Sequence, residues 1–134
     1  LYSRKGACEV AKGRILIVDD DKEFREELRE TLDLSGYEVI EVEDARVVQD
    51  TASHTSPDVI VLDLKMDDMN GFEVAEELKR FTSTVSIPVI AMTGYFREDE
   101  HAPLMNICGI TKCIKKPFNP LDVIAAIEAA MHGV

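Results

Sequence analysis

Asp58-Val59-Ile60-Val61-Leu62-Asp63-Leu64-Lys65-Met66 is the stretch on which the fold turns. Four consecutive apolar residues, three of them β-branched, suit a strand buried on both faces of a parallel sheet, and the next residue is a carboxylate. In an open α/β sheet, ligands bind in the crevice beyond the carboxyl ends of the strands, so a charge leaving a buried strand is a candidate functional group. A lone aspartate in that place also serves as a helix cap or turn residue. The rest of the chain decides between the two.

Arg14-Ile15-Leu16-Ile17-Val18 is a second apolar run, ending in Asp19-Asp20-Asp21 before a helical pattern opens at Lys22. Phe24, Leu28 and Leu32 recur at a spacing of four with Glu and Arg between them, a stripe that packs on a sheet, and Gly36 stops the helix. Glu38-Val39-Ile40-Glu41-Val42-Glu43 mixes apolar and acidic residues, which fits a strand nearer the sheet edge with one face wetter than the other. Residues 44–54 form a weaker helix, and Ser56-Pro57 then breaks the chain.

After Asp63, a loop from Lys65 to Asn70 leads to Gly71 and a helix on which Phe72, Ala75, Leu78 and, as an extension, Phe81 share a face. Ile87-Pro88-Val89-Ile90-Ala91-Met92 reads as the fourth strand, ended by Thr93-Gly94, with Pro88 tolerable near a strand's first residue. Glu98, Asp99 and Glu100 suit a first helical turn, but Pro103 falls in the helix body, so the fourth helix is expected to be short, kinked or restarted. Ile110 to Ile114 is a fifth strand, Lys115-Lys116-Pro117-Phe118 leaves it, and Leu121, Ile124, Ile127 and Met131 recur on a last helix.

Five strands alternating with helices through short loops predict an α/β fold: a parallel sheet covered on both faces, with right-handed crossovers. The expected architecture is a flavodoxin-like (βα)5 domain of strand order 2-1-3-4-5. At 134 residues the chain is expected to be one domain over residues 14–134. Residues 1–13 carry three cations and no periodic pattern, which reads as a linker or tag-like arm; the missing initiator Met suggests a cut fragment.

A net charge of -11 and a pI near 4.6 argue against a nucleic-acid-binding surface, because no basic stripe is present to neutralise phosphates. Such a chain recruits cations or basic partners. No apolar run approaches the roughly 18 residues of a membrane span, and the N-terminus lacks a secretory h-region, so a cytoplasmic location without membrane insertion is expected. Cys8, Cys108 and Cys113 are in no zinc-like arrangement and read as reduced thiols; His54, His101 and His132 are too scattered to make a soft-metal site.

The polar residues fall in one class of place. Asp19 and Asp20 follow the first strand, Asp63 ends the third, Thr93 follows the fourth and Lys116 the fifth, so all five are expected at one rim of the sheet. Three carboxylates there repel one another, and taking them out of water costs roughly several kcal/mol per uncompensated charge. A divalent cation offsets this, and carboxylates with a backbone carbonyl and retained waters describe Mg2+. Lys116 adds a point charge suited to a phosphoryl oxygen, and the Thr93 hydroxyl can donate to another. These are the parts of in-line phosphoryl transfer to an aspartate.

The sequence resembles a response-regulator receiver domain of two-component signalling over roughly residues 14–132. The resemblance rests on Ile-Leu-Ile-Val-Asp-Asp-Asp at 15–21, on Val-Leu-Asp followed by Met-x-x-Met-x-Gly at 61–71, on Pro-Val-Ile-Ala-Met-Thr-Gly at 88–94 and on Lys-Lys-Pro-Phe at 115–118. It implies Asp63 as phosphoacceptor, Asp19 and Asp20 as the acidic pair holding Mg2+, and Lys65 as a further metal ligand through its backbone carbonyl. Thr93 would follow the phosphoryl group and Lys116 would pair with it. The implied donor is a phosphohistidine on a sensor histidine kinase or histidine phosphotransfer protein, and the switched surface would meet an output domain or a second copy. Asp21 reads as an N-cap and Glu98 to Glu100 as a solvated helix face.

The chain also departs from the family. Asp67 stands where receivers usually carry a proline, with Asp68 beside it, and Cys113 stands where an aromatic ring usually swings inward. Gly94 replaces a residue that is often Ala, clearing space beside the threonine. Cys113 and Pro103 bear on the output face of fourth helix, fifth strand and fifth helix, and they favour an alternative reading as a phosphorylation-independent docking module, which the intact Asp19, Asp20, Asp63, Thr93 and Lys116 oppose. An aspartate-nucleophile phosphatase needs a second Asp two residues after the nucleophile, where this chain has Lys65. Lys65 and Tyr95 take the positions that in receivers flank the path of the hydrolytic water. Both are bulky and are expected to lengthen the life of the acyl phosphate. Dephosphorylation of Lys65→Ala and Tyr95→Ala should then be faster than wild type, and unchanged rates would refute the shielding.

Overall fold

The computed structural model describes residues 11–64, 70–94, 108–115 and 119–132. The three most apolar runs become the inner strands β1 (Arg14–Val18), β3 (Val59–Asp63) and β4 (Val89–Thr93), while β2 (Glu38–Val42) and β5 (Ile110–Lys115) take the edges. Every residue of β3 and β4 is buried, whereas most residues of β2 and β5 are exposed or partly exposed. Hydropathy thus sorts strands by depth: an inner strand loses water from both faces, so each fully buried Val, Ile or Leu contributes about 1.5–3 kcal/mol. All pairings are parallel, in the order β2-β1-β3-β4-β5 expected from the sequence.

Alternate residues of each strand feed two cores. On one face Ile15, Ile17, Val59, Val61, Ile90 and Met92 pack with Leu28 and Leu32 of α1 (Lys22–Leu34) and with Val123 and Ile127 of α4 (Pro120–His132). On the other, Leu16, Val18, Ile60, Leu62, Val89 and Ala91 meet Val48 and Ala52 of α2 (Val48–Thr55) and Val74, Ala75 and Leu78 of α3 (Gly71–Arg80). A 3-10 turn, Ala45–Val47, leads into α2, and it is the Asp44 carboxylate that accepts from the Arg46 N–H.

Local chemistry ends the helices. The Asp21 carboxylate caps α1 by accepting from the Phe24 N–H at 3.2 Å, as the sequence suggests. At the other end Gly36, at φ +95°, lets the Tyr37 N–H reach the Leu32 carbonyl at 3.0 Å and its own N–H reach that of Asp33 at 3.1 Å, a Schellman closure. Asn70 caps α3 through the Phe72 N–H at 2.7 Å. The ladder between β1 and β2 continues outward, since the Lys12 N–H donates to the Gly36 carbonyl and the Glu38 N–H to the Gly13 carbonyl, both at 2.9 Å.

Two local expectations are corrected, and one irregularity is new. α3 stops at Arg80, and Phe81 takes an extended conformation and is 44% exposed, so it does not extend the buried face. β4 begins at Val89, while the Pro88 carbonyl still accepts from the Ile60 N–H at 3.0 Å. β5 carries an irregularity, with Val89 level with Ile110 but Ile90 level with Lys112, leaving Thr111 as an extra residue. The expected fourth helix around Pro103 lies outside the described residues. Among the described residues no helix is long and apolar enough to cross a membrane.

Candidate functional site

The register assembles the rim. Val18 is level with Leu62, which sets Asp19 beside Asp63 on the neighbouring strand; Asp63 is level with Met92, one residue short of Thr93, and Thr93 is level with Lys115. Asp19 is fully buried, Asp63 is 7% exposed, Thr93 is buried and Asp20 is exposed. Oxygen atoms of Asp19, Asp20 and Asp63 lie within 4.8 Å of one another. The structure therefore brings together four of the residues singled out in the sequence. Lys65 and Lys116 lie outside the described residues, although Lys115, the residue before Lys116, ends β5 at the same rim. Tyr95, Asp67 and Asp68 are also outside them.

Backbone and side-chain bonds hold Asp19 from several directions. Its N–H donates to the Val42 carbonyl at 3.1 Å, its Oδ1 accepts from the Asp21 N–H at 2.9 Å, and its carbonyl accepts from Arg25 Nη1 at 2.7 Å. The Leu64 N–H continues the ladder to the Met92 carbonyl at 2.9 Å, which fixes the chain just past Asp63. A donor set of three carboxylates, two of them buried, offers only hard oxygen atoms, and it fits a hard divalent cation rather than a soft one.

Two contributors to the site are not apparent from sequence reasoning. Gly71, the first residue of α3, lies against the exit of β3: a Cβ there would fall 2.5 Å from Leu64 Cα and 2.6 Å from the Asp63 carbonyl oxygen. Arg25, read in the sequence as part of the polar filling of a helix, is buried instead. The signal for it was Glu41, an acid spaced two residues from Val39 and so on the same, α1-covered face of β2.

Cys113 packs half-buried against the core under α3, level with Ala91 and two residues before Lys115. A small thiol thus occupies the position of the usual ring, and burial pushes its pKa up, away from a reactive thiolate. Cys108 is also shifted up, by burial and then by the Glu76 charge.

A flavodoxin-like α/β domain with an oxygen-ligand pocket at the carboxyl rim of its sheet is the class that this fold and site define. The family model described as "Response regulator receiver domain" matches residues 15–128, and the chain belongs to that family. It is 35% identical over 118 residues to the phosphate regulon transcriptional regulatory protein PhoB of Pseudomonas aeruginosa, covering 88% of this chain and 51% of that protein. It is 31% identical over 119 residues to the response regulator MprA of Mycolicibacterium vanbaalenii, covering 89% of this chain and 50% of that one. The chain thus spans about half the length of these relatives. Among solved structures, the chemotaxis protein CheY4 of Vibrio cholerae superposes with a TM-score of 0.84 at 28% identity, covering 90% of this chain and 99% of that one. The receiver domain of a signal transduction histidine kinase from Syntrophus aciditrophicus does so at 0.81 and 30% identity, covering 91% and 92%. The protein is a receiver domain of two-component signalling.

Proposed function

We propose that Asp63 accepts a phosphoryl group from a phosphohistidine on a sensor histidine kinase or histidine phosphotransfer protein. The observation that carries this reading is the meeting of Asp63 with Asp19 and Asp20, their oxygens within 4.8 Å, at the end of a fully buried strand. An Asp63 carboxylate oxygen forms the new bond to phosphorus as the bond from phosphorus to the imidazole nitrogen breaks, and the electron pair leaves with the imidazole. Asp19, Asp20, Asp63 and the Lys65 carbonyl would hold Mg2+, which when bound supplies positive charge against the phosphoryl oxygens. The Thr93 hydroxyl donates to one of those oxygens and Lys116 pairs with another. Receiver domains are switches rather than turnover enzymes, and the unit from residue 14 to 134, preceded by a linker-like arm, is read as cytoplasmic. The phosphoryl group adds about -1.5 to -2 charge, which shifts the population of the surface offered to an output domain or a second copy.

Incubation with acetyl phosphate and Mg2+ should give one hydroxylamine-labile phosphoryl adduct per chain. Mg2+ alone should raise the melting temperature: at tenfold its dissociation constant it adds about 1.4 kcal/mol, and EDTA should reverse it. Cys113 in the ring position favours a second reading, docking without phosphorylation. Absence of any adduct in the presence of Mg2+ would decide for that one.

A further inference from the structure

The covered face of β2 carries an acid where an apolar residue is expected. Val39 and Glu41 both face α1, and Val39 packs into the core there. A carboxylate in that position needs cationic partners. Arg25 Nε donates to Glu41 Oε1 at 3.3 Å, Arg29 Nη1 donates to Glu41 Oε2 at 2.9 Å, and Arg25 Nη2 lies 3.6 Å from Glu43 Oε2. The remaining arm of the same guanidinium, Nη1, reaches the Asp19 carbonyl at 2.7 Å. Arg25 is 7% exposed, so this planar fork is held in one orientation by the edge strand on one side and the start of the acidic pair on the other.

Resting on the reading of Asp19, Asp20 and Asp63 as Mg2+ ligands, we infer that Arg25, oriented by Glu41, is a positioning residue for the acidic pair. The carbonyl it grips belongs to the peptide linking Asp19 to Asp20. Turning that peptide swings the Asp20 carboxylate relative to the buried Asp19, so the bond to Arg25 fixes the mutual placement of the two ligands. As a bare charge Arg25 would oppose a cation nearby. Glu41 and Glu43 offset that charge, which leaves the geometric role dominant. Partners of this kind orient ligands and are worth about 10 to 100-fold in metal affinity.

Calorimetric titration of the whole chain with Mg2+ separates the two roles. Arg25→Lys keeps the charge and loses the fork, and Arg25→Met loses both; each is expected to weaken Mg2+ binding about tenfold. Glu41→Gln, which keeps Arg25 itself but removes the charge that orients it, is expected to weaken it by up to about tenfold and carries the test should Arg25→Met not fold. In acetyl phosphate labelling the half-saturating Mg2+ concentration should rise in step while the rate at saturating Mg2+ stays within about twofold. Wild-type affinity in Arg25→Lys, tighter binding in Arg25→Met, or a lowered saturating rate with unchanged half-saturation would overturn the inference. Wild-type protein that neither binds Mg2+ nor accepts phosphate would instead remove the reading on which it rests.

Discussion

Asp63→Asn is expected to abolish the phosphoryl adduct, lowering labelling by acetyl phosphate on the order of a thousandfold or more, since it removes the nucleophile and not a neighbour. The asparagine side chain has nearly the shape of aspartate and fits the same place at the end of β3, where every residue of the strand is buried. The sheet should therefore survive, and far-UV circular dichroism should match wild type. Neither remaining carboxylate is equivalent. Asp19 is fully buried with Oδ1 engaged by the Asp21 N–H, while Asp20 is exposed and lies outside the strand. The same variant should respond less to Mg2+. The variant removes one of three carboxylate charges whose oxygens lie within 4.8 Å of one another, and with it part of the attraction for a divalent cation. The rise in melting temperature with Mg2+ should shrink accordingly. An adduct formed on Asp63→Asn at the wild-type rate would show that the phosphoryl group goes elsewhere.

The parts of this site that could be read in the sequence are those that depend on strand order and strand ends. Asp19, Asp63 and Thr93 each follow or close a run of apolar β-formers, and once the parallel order is inferred their meeting is a consequence of topology. Arg25 and Gly71 were not legible because their roles depend on distances between elements. A helical pattern shows that Arg25 lies beside Leu28 on α1, but not that an acid on a neighbouring strand will draw it under cover. Gly71 reads only as the opening of a helix until α3 is seen against β3. Phe81 misled for the opposite reason: its spacing fits the apolar face of α3, but the backbone turns extended at Phe81 itself. The extra residue Thr111 in β5 leaves no trace in hydropathy, because an edge strand tolerates either register on its exposed side.

Gly71→Ala is expected to destabilise the domain by about 1–3 kcal/mol, the usual range for an added group with nowhere to go. The new methyl would fall 2.5 Å from Leu64 Cα, 2.6 Å from the Asp63 carbonyl oxygen and 3.1 Å from the Leu64 carbonyl carbon, all main-chain atoms that cannot rotate aside. Either α3 must withdraw or the exit of β3 must yield. Withdrawal strains the Gly71 N–H bond to the Leu64 carbonyl, now 2.9 Å, and the Asn70 cap on the Phe72 N–H. Yielding moves Asp63 itself, and a misplacement of about 1 Å can lower a rate on the order of a hundredfold. Labelling at saturating Mg2+ should therefore fall about tenfold or more, alongside a melting temperature lower by several degrees. Gly94→Ala is the matched control: a methyl there meets no atom of the described residues within 4 Å, and its effect on stability should stay within about 0.5 kcal/mol. Gly71→Ala protein as stable and as readily labelled as wild type would mean that the contact between α3 and β3 does not position the phosphoacceptor.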